Sequence, residues 1–219
     1  MNKSLAAVVL FAGVAGFGMA PAAAAQSACE SLGGTVDAAA ICHVDSAGAG
    51  FRFEASFPAG YPDQQALTDY LSGERDRMAD YAAKIPPTGR GSGYELAITG
   101  KPYHSGTPVG GTQSVVFGAQ NDSGVANEGR PATIYTAFNY DLGRGAPITF
   151  ATLFKPGTTP ADVQAAAPDL PAPDDFGVHG YRNFALTDEA VVVFIDQDFL
   201  HAGPRSVSVP RTALAALLA

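Results

Sequence analysis

Two serines and one histidine are the residues of this chain best placed to do chemistry. His104-Ser105-Gly106 and Ser114 fall within one strand-turn-strand unit. A histidine beside a serine on a turn is the raw material of an acyl-transfer site, in which imidazole takes the hydroxyl proton and nearby donors hold the oxyanion. Two facts weigh against it. No GxSxG elbow occurs anywhere in the chain, and consecutive residues on a strand point to opposite faces, which separates His104 from Ser105. The alternative is that all three are polar turn residues bonded to local backbone.

Other chemistries have less to build on. His43, His104, His179 and His201 are scattered without HxH or HExxH spacing. Asp196, Asp198 and His201 form the one compact set that could meet a divalent ion, but such residues more often make a solvated loop at a strand end, and no metal is expected. Asn121 to Gly129 lacks the register of a calcium-binding EF-hand loop and reads as a hairpin loop. Gly89-Arg90-Gly91-Ser92-Gly93 has neither a Walker lysine nor a strand-to-helix setting, so it reads as a connection. No cofactor is expected. Tyr103, Tyr135, Phe138 and Tyr140 could form an exposed aromatic binding surface, although aromatics on strands are more often core.

The elements that must position these residues follow from pattern. Phe51, Phe53, Ala55 and Phe57 alternate with Arg52, Glu54 and Ser56, the period of a half-buried strand. From Asp63 to Ile85 the apolar Leu67, Tyr70, Leu71, Met78, Tyr81, Ala82 and Ile85 recur at helical spacing, with Asp63 placed to cap and Pro86-Pro87 to stop. Arg75 and Arg77, beside Glu74, Asp76 and Asp80, form the solvated face of that helix. Strands are predicted over Tyr94 to Thr99, Ser114 to Ala119 and Ala132 to Tyr140, and their shortness and turns point to an antiparallel sheet. A short helix begins near Thr149. A second begins at Thr159 and is cut by Pro168, Pro171 and Pro173, which leaves a mobile loop up to Asp175. Asn183 to Leu186 and Ala190 to Ile195 make a hairpin whose second arm is apolar throughout and hence central. A strand over Ser206 to Val209 precedes a terminal helix opened by Pro210 and docked by Leu214, Leu217 and Leu218.

The ends and the charge set the address. Residues 1–25 read as a signal peptide: Lys3, an apolar run from Leu5 to Met19, and Ala23-Ala24-Ala25 before a cut at Gln26. Residues 26–219 then form one domain, with no further segment apolar enough to anchor it in a membrane. The formal net charge is -8, and losing Lys3 makes the exported chain more acidic still. An acidic surface argues against nucleic acid and anionic lipid and leaves open a cationic protein partner. Cys29 and Cys42 are the only cysteines. In an oxidising compartment they read as one disulfide. The rival reading, a lipid-modified Cys29, lacks an apolar residue three positions before it and leaves Cys42 unpaired.

These residues resemble a known family. Tyr61-Pro62-Asp63-Gln64-Gln65-Ala66-Leu67, Ala137-Phe138-Asn139-Tyr140, Pro147-Ile148-Thr149-Phe150, Thr152-Leu153-Phe154, Tyr181-Arg182-Asn183-Phe184 and Val209-Pro210-Arg211 resemble the mycobacterial secreted immunogenic antigen family. That family shares a domain with RsiV-like lysozyme-sensing ectodomains. The likeness covers the chain after residue 25 in order, including a cysteine pair, and departs from the family between Asp162 and Asp175. It implies a secreted α+β domain: a twisted, mostly antiparallel sheet packed with one long helix and short C-terminal helices. The wording is most similar to an esterase-associated branch, whereas the RsiV-like branch binds lysozyme. Two functions are therefore expected in competition: an extracellular, released or cell-wall-associated binding protein with a cationic partner such as lysozyme, and a carboxylesterase of short acyl esters acting through Ser105 or Ser114 with His104.

Overall fold

The computed structural model describes residues 28–85, 93–122, 132–175, 177–197 and 206–219. The expected signal peptide over residues 1–25, the glycine-rich connection through Ser92, most of the Asn121 to Gly129 loop, and Asp198 and His201 lie outside those residues.

Among the described residues ten strands form two sheets. The larger has the order β1 (Thr35–Val36), β2 (Ile41–Gly48), β3 (Phe51–Pro58), β4 (Tyr94–Ser105), β5 (Thr112–Asp122), β6 (Ala132–Asp141) and β7 (Ala146–Pro147). The smaller has β9 (Ala190–Phe194) between β8 (Phe184–Leu186) and β10 (Ser206–Pro210), so the wholly apolar arm is central as its sequence requires. Every pairing is antiparallel except β3 with β4. That exception has a cause: the long helix α1 (Gln64–Lys84) connects β3 to β4, and parallel neighbours need such a crossover. The fold is α+β.

Helix α1 begins where its cap predicts. The Asp63 carboxylate accepts the Ala66 N–H at 3.1 Å. Its polar side carries Arg77–Glu74 and Lys84–Asp80 pairs at 2.7 Å each, and its apolar side lays Leu67, Leu71, Met78 and Ala82 on the large sheet. Under the helix, Phe117 meets Tyr70, Phe138 and Phe57 with ring centres 5.1, 5.9 and 6.2 Å apart. Gly100 makes this possible, since a Cβ there would stand 2.8 Å from the Phe117 ring. Burying Phe117 completely contributes roughly 2–3 kcal/mol.

Three features were not anticipated. The β1–β2 hairpin has little apolar alternation beyond Cys42 and Val44. It is tied down by the Cys29–Cys42 disulfide, both sulfurs being fully buried. The C-terminal strands form a separate sheet rather than extending the first. The segment up to Asp175 is packed rather than loose: Val163 and Leu170 are buried, and the Tyr181 hydroxyl donates to the Pro171 carbonyl at 2.7 Å. Helices α2 (Phe150–Leu153), α3 (Pro160–Ala166) and α4 (Arg211–Leu214) close the second core around Phe154, Tyr181, Phe184 and Leu214. At the start of α3 the Thr159 hydroxyl accepts the Asp162 N–H while the Asp162 carboxylate accepts the Thr159 N–H.

Burial pushes the Tyr70 phenol up to about 12, against a bond to Thr136 that pulls it down. The folded value lies above the unfolded one, near 10. The stability this group contributes is therefore complete below pH 10 and is lost as pH rises through the folded value. Between pH 9 and 11.5, urea unfolding of the wild type should lose about 2 kcal/mol more than that of Tyr70→Phe.

Candidate functional site

The register of the large sheet decides where the reactive residues go. Ser105 lies opposite Thr112 and Tyr103 opposite Ser114, so Tyr103, Ser105, Thr112 and Ser114 share the face that looks toward the small sheet. His104, opposite Gln113, belongs to the other face and is exposed. Ser114 is fully buried, and its Oγ accepts the Leu186 N–H at 3.3 Å. Ser105 is 5 % exposed, and the N–H of the next residue, Gly106, donates to the Asp188 carboxylate at 2.6 Å. Among the described residues no imidazole is bonded to a serine hydroxyl. Ser114 thus acts as an acceptor in a joint between sheets.

The pair that does resemble a base and its orienting acid is elsewhere. His179 Nε2 lies 2.7 Å from Asp196 Oδ2, while Asp196 Oδ1 accepts the Tyr135 N–H at 2.7 Å. The carboxylate is nearly buried and the imidazole half exposed. Asp196 therefore joins His179 and β6, and among the described residues no group of three or more His, Cys, Asp or Glu could hold a metal ion. A second pair, His43 and Asp37, lies at 2.9 Å on the β1–β2 turn. There the Ile41 N–H and then His43 hold the Asp37 carboxyl below its usual range.

Among the described residues the small sheet packs on β5, β6 and the end of β4, and leaves the same face of β1, β2, β3 and the start of β4 uncovered. Thr35, His43, Asp45, Glu54, Ser56 and Thr99 line a groove of about 560 Å³ across it. Arg52 bridges Asp45 at 2.9 Å and Glu54 at 2.6 Å, so two carboxylates share one guanidinium beside the groove.

No family model matches the chain. Esterase Rv3036c of Mycobacterium tuberculosis is 40 % identical over 210 residues, which span 89 % of this chain and 90 % of that protein. The chain belongs to its family. Immunogenic protein MPT64 of Mycobacterium tuberculosis and Immunogenic protein MPB64 of Mycobacterium bovis are each 33 % identical over 212 residues, 90 % of both chains. A DUF3298 family protein of Pseudomonas aeruginosa has a TM-score of 0.48 at 14 % identity, covering 84 % of this chain and 95 % of its own.

The resemblance to the immunogenic antigens, read from short motifs, thus extends over nearly the whole chain. Those motifs are structural. Asn139 of the Ala137 to Tyr140 motif donates from Nδ2 to the Phe184 carbonyl at 2.9 Å, and Asn183 of the Tyr181 to Phe184 motif accepts the Ala137 N–H at 3.3 Å. What the sequence did not reveal in this MPT64-family chain is the His179–Asp196 pair, whose members stand 17 residues apart. Its signal is Gly177 and Gly180 flanking a histidine, since His179 itself turns through the left-handed region at φ 50°.

Replacing Asp196 by Ala removes the carboxylate that accepts the Tyr135 N–H and should lower stability in urea by about 1–3 kcal/mol. His179→Ala, which removes only the half-exposed partner, should cost less than about 1 kcal/mol.

Proposed function

We propose that this chain works outside the cytoplasm as a binding protein, released or held at the cell wall, and that the open face of β1 to β4 takes a cationic protein partner. The observation that carries the reading is the pairing of Asp45 and Glu54 on a sheet face that the second sheet leaves uncovered, with Asp37 on the turn beside it. Export is supported by the sequence of residues 1–25, which reads as a signal peptide, and by the disulfide, a bond that persists in oxidising compartments. Among the described residues no helix is long and apolar enough to cross a membrane. Lysozyme is the concrete partner, by the resemblance to RsiV-like ectodomains.

Titration of residues 26–219 with lysozyme across a salt series tests this. Binding should be strongest at low ionic strength and weaken steeply with salt, and Asp45→Ala with Glu54→Ala should weaken it roughly five- to tenfold. No binding at low salt removes lysozyme as the partner, and binding indifferent to the double variant moves the site off this face.

Ester hydrolysis is the second reading, favoured by the relative named an esterase and by a His179–Asp196 pair with base-and-orienter geometry. With a short-chain p-nitrophenyl ester, a genuine activity should fall at least tenfold in His179→Ala and survive in His104→Ala, Ser105→Ala and Ser114→Ala. Loss in a folded Ser105 or Ser114 variant would instead restore the serine site, and no hydrolysis would leave binding alone.

A further inference from the structure

Beside the acidic groove the open face deepens into a cavity of about 310 Å³, at the lower end of the roughly 300–1,000 Å³ usual for small-molecule sites. Its floor is set by register. Thr99, Gly118 and Tyr135 stand side by side on β4, β5 and β6, and Ala97, Gln120 and Thr133 form the next row on the same face. Phe194 and Ser206 of the small sheet form the wall. The hollow exists because position 118 has no side chain: a Cβ there would sit 3.4 Å from the Tyr135 ring and 3.7 Å from the Thr133 methyl, so a methyl fits and anything larger fills the space.

The lining has a distinct chemistry. Tyr103 and Tyr135 flank Phe194 with ring centres 5.7 and 5.4 Å away, giving apolar ring surface on one side. Thr99 and Gln120, both exposed, offer neutral hydrogen-bonding groups on the other. Thr133 is buried and turns its methyl toward position 118, so it lends shape rather than a hydrogen bond. Burial and then the neighbouring Tyr135 raise the Tyr103 phenol above its ordinary value. Lys101 is exposed on the lining, and among the described residues it has no ion pair. No carboxylate lines the cavity.

We infer that this cavity binds a pyranose sugar bearing a carboxylate. A pyranose has an apolar C–H face to lay on the aromatic rings and equatorial hydroxyls to meet amide and hydroxyl side chains, and its carboxylate would pair with Lys101. A fatty acyl chain would leave Thr99 and Gln120 unmatched, and a nucleotide phosphate would find one cation where it needs several. The inference is independent of the cationic partner proposed for the neighbouring groove.

The test is a titration of ¹⁵N-labelled residues 26–219 with glucuronate and, separately, glucose, read from backbone amide shifts. Saturable shifts should centre on Gly118, Gln120 and Thr133, with a glucuronate Kd on the order of millimolar, as befits a small polar ligand, and several-fold weaker binding of glucose. Gly118→Leu should abolish both, and Lys101→Met should equalise them. No saturable shift from either sugar, or shifts that persist in a folded Gly118→Leu protein, overturns the site; equal binding of both sugars by the wild type overturns the carboxylate. Should Gly118→Leu not fold, Gln120→Ala and Lys101→Met, both exposed positions, decide, and unchanged affinity in the two overturns the inference.

Discussion

A strand that ends a sheet carries N–H and C=O groups with no ladder to join, and inside a protein each such group must find another partner or cost about 1–3 kcal/mol. Here two sheets solve this for each other. On the free side of β8, the Leu186 N–H is taken by Ser114 and the Phe184 carbonyl by Asn139, both reaching from the large sheet. On the free side of β6, the Tyr135 and Ala137 N–H groups are taken by Asp196 and Asn183 from the small-sheet segment, and Thr133 and Gln197 exchange backbone bonds. This reciprocal seam fixes where the small sheet sits. It thereby decides which part of the large sheet is covered and which is left to meet other molecules.

The two faces of the large sheet consequently differ in kind. Toward α1 they are aromatic and dry, organised around Phe117 in the space that Gly100 provides. On the other side, Val116, Ala185 and Phe194 make only a narrow apolar strip beneath the small sheet, with Tyr103 and Tyr135 at its margin. Beyond that strip the face is polar, because the same β3 residues that alternate with Phe53, Ala55 and Phe57 are Arg52, Glu54 and Ser56. The division is written in the period-2 alternation of each strand and completed by register.

Much of this was legible before any coordinates. The Asp63 cap, the helical spacing to Ile85, the alternation of β3 and the apolar β9 each act locally, so pattern alone locates them. The β1–β2 hairpin escaped because its stability comes from a disulfide and from pairing with β3 rather than from its own apolar content. The parallel pairing of β3 with β4 and the division into two sheets depend on how distant segments pack, which local pattern does not encode. The candidate site divides the same way. Alternation foresaw that His104 and Ser105 diverge. The role of Ser114 as an acceptor for Leu186, and the meeting of His179 with Asp196, required the fold. Tyr103 and Tyr135 were noted as a surface together with Phe138 and Tyr140, but the sheet parts them: the first two border the open cavity, and the other two pack toward α1.

The outermost strands of the large sheet, β1 and β7, are two residues long each. A foreign strand arriving at either end therefore finds almost no continuous ladder to copy. At one end Asp45 charges the stretch of β2 that β1 leaves uncovered, and at the other Pro147 removes a donor from β7 while side chains already occupy the N–H groups of β6. Short, charged and proline-bearing margins are how proteins discourage edge-to-edge aggregation. For a seven-stranded sheet with one face still open, growth into fibres is thus blocked along the strand-stacking direction, so that contacts with other molecules are directed to the face.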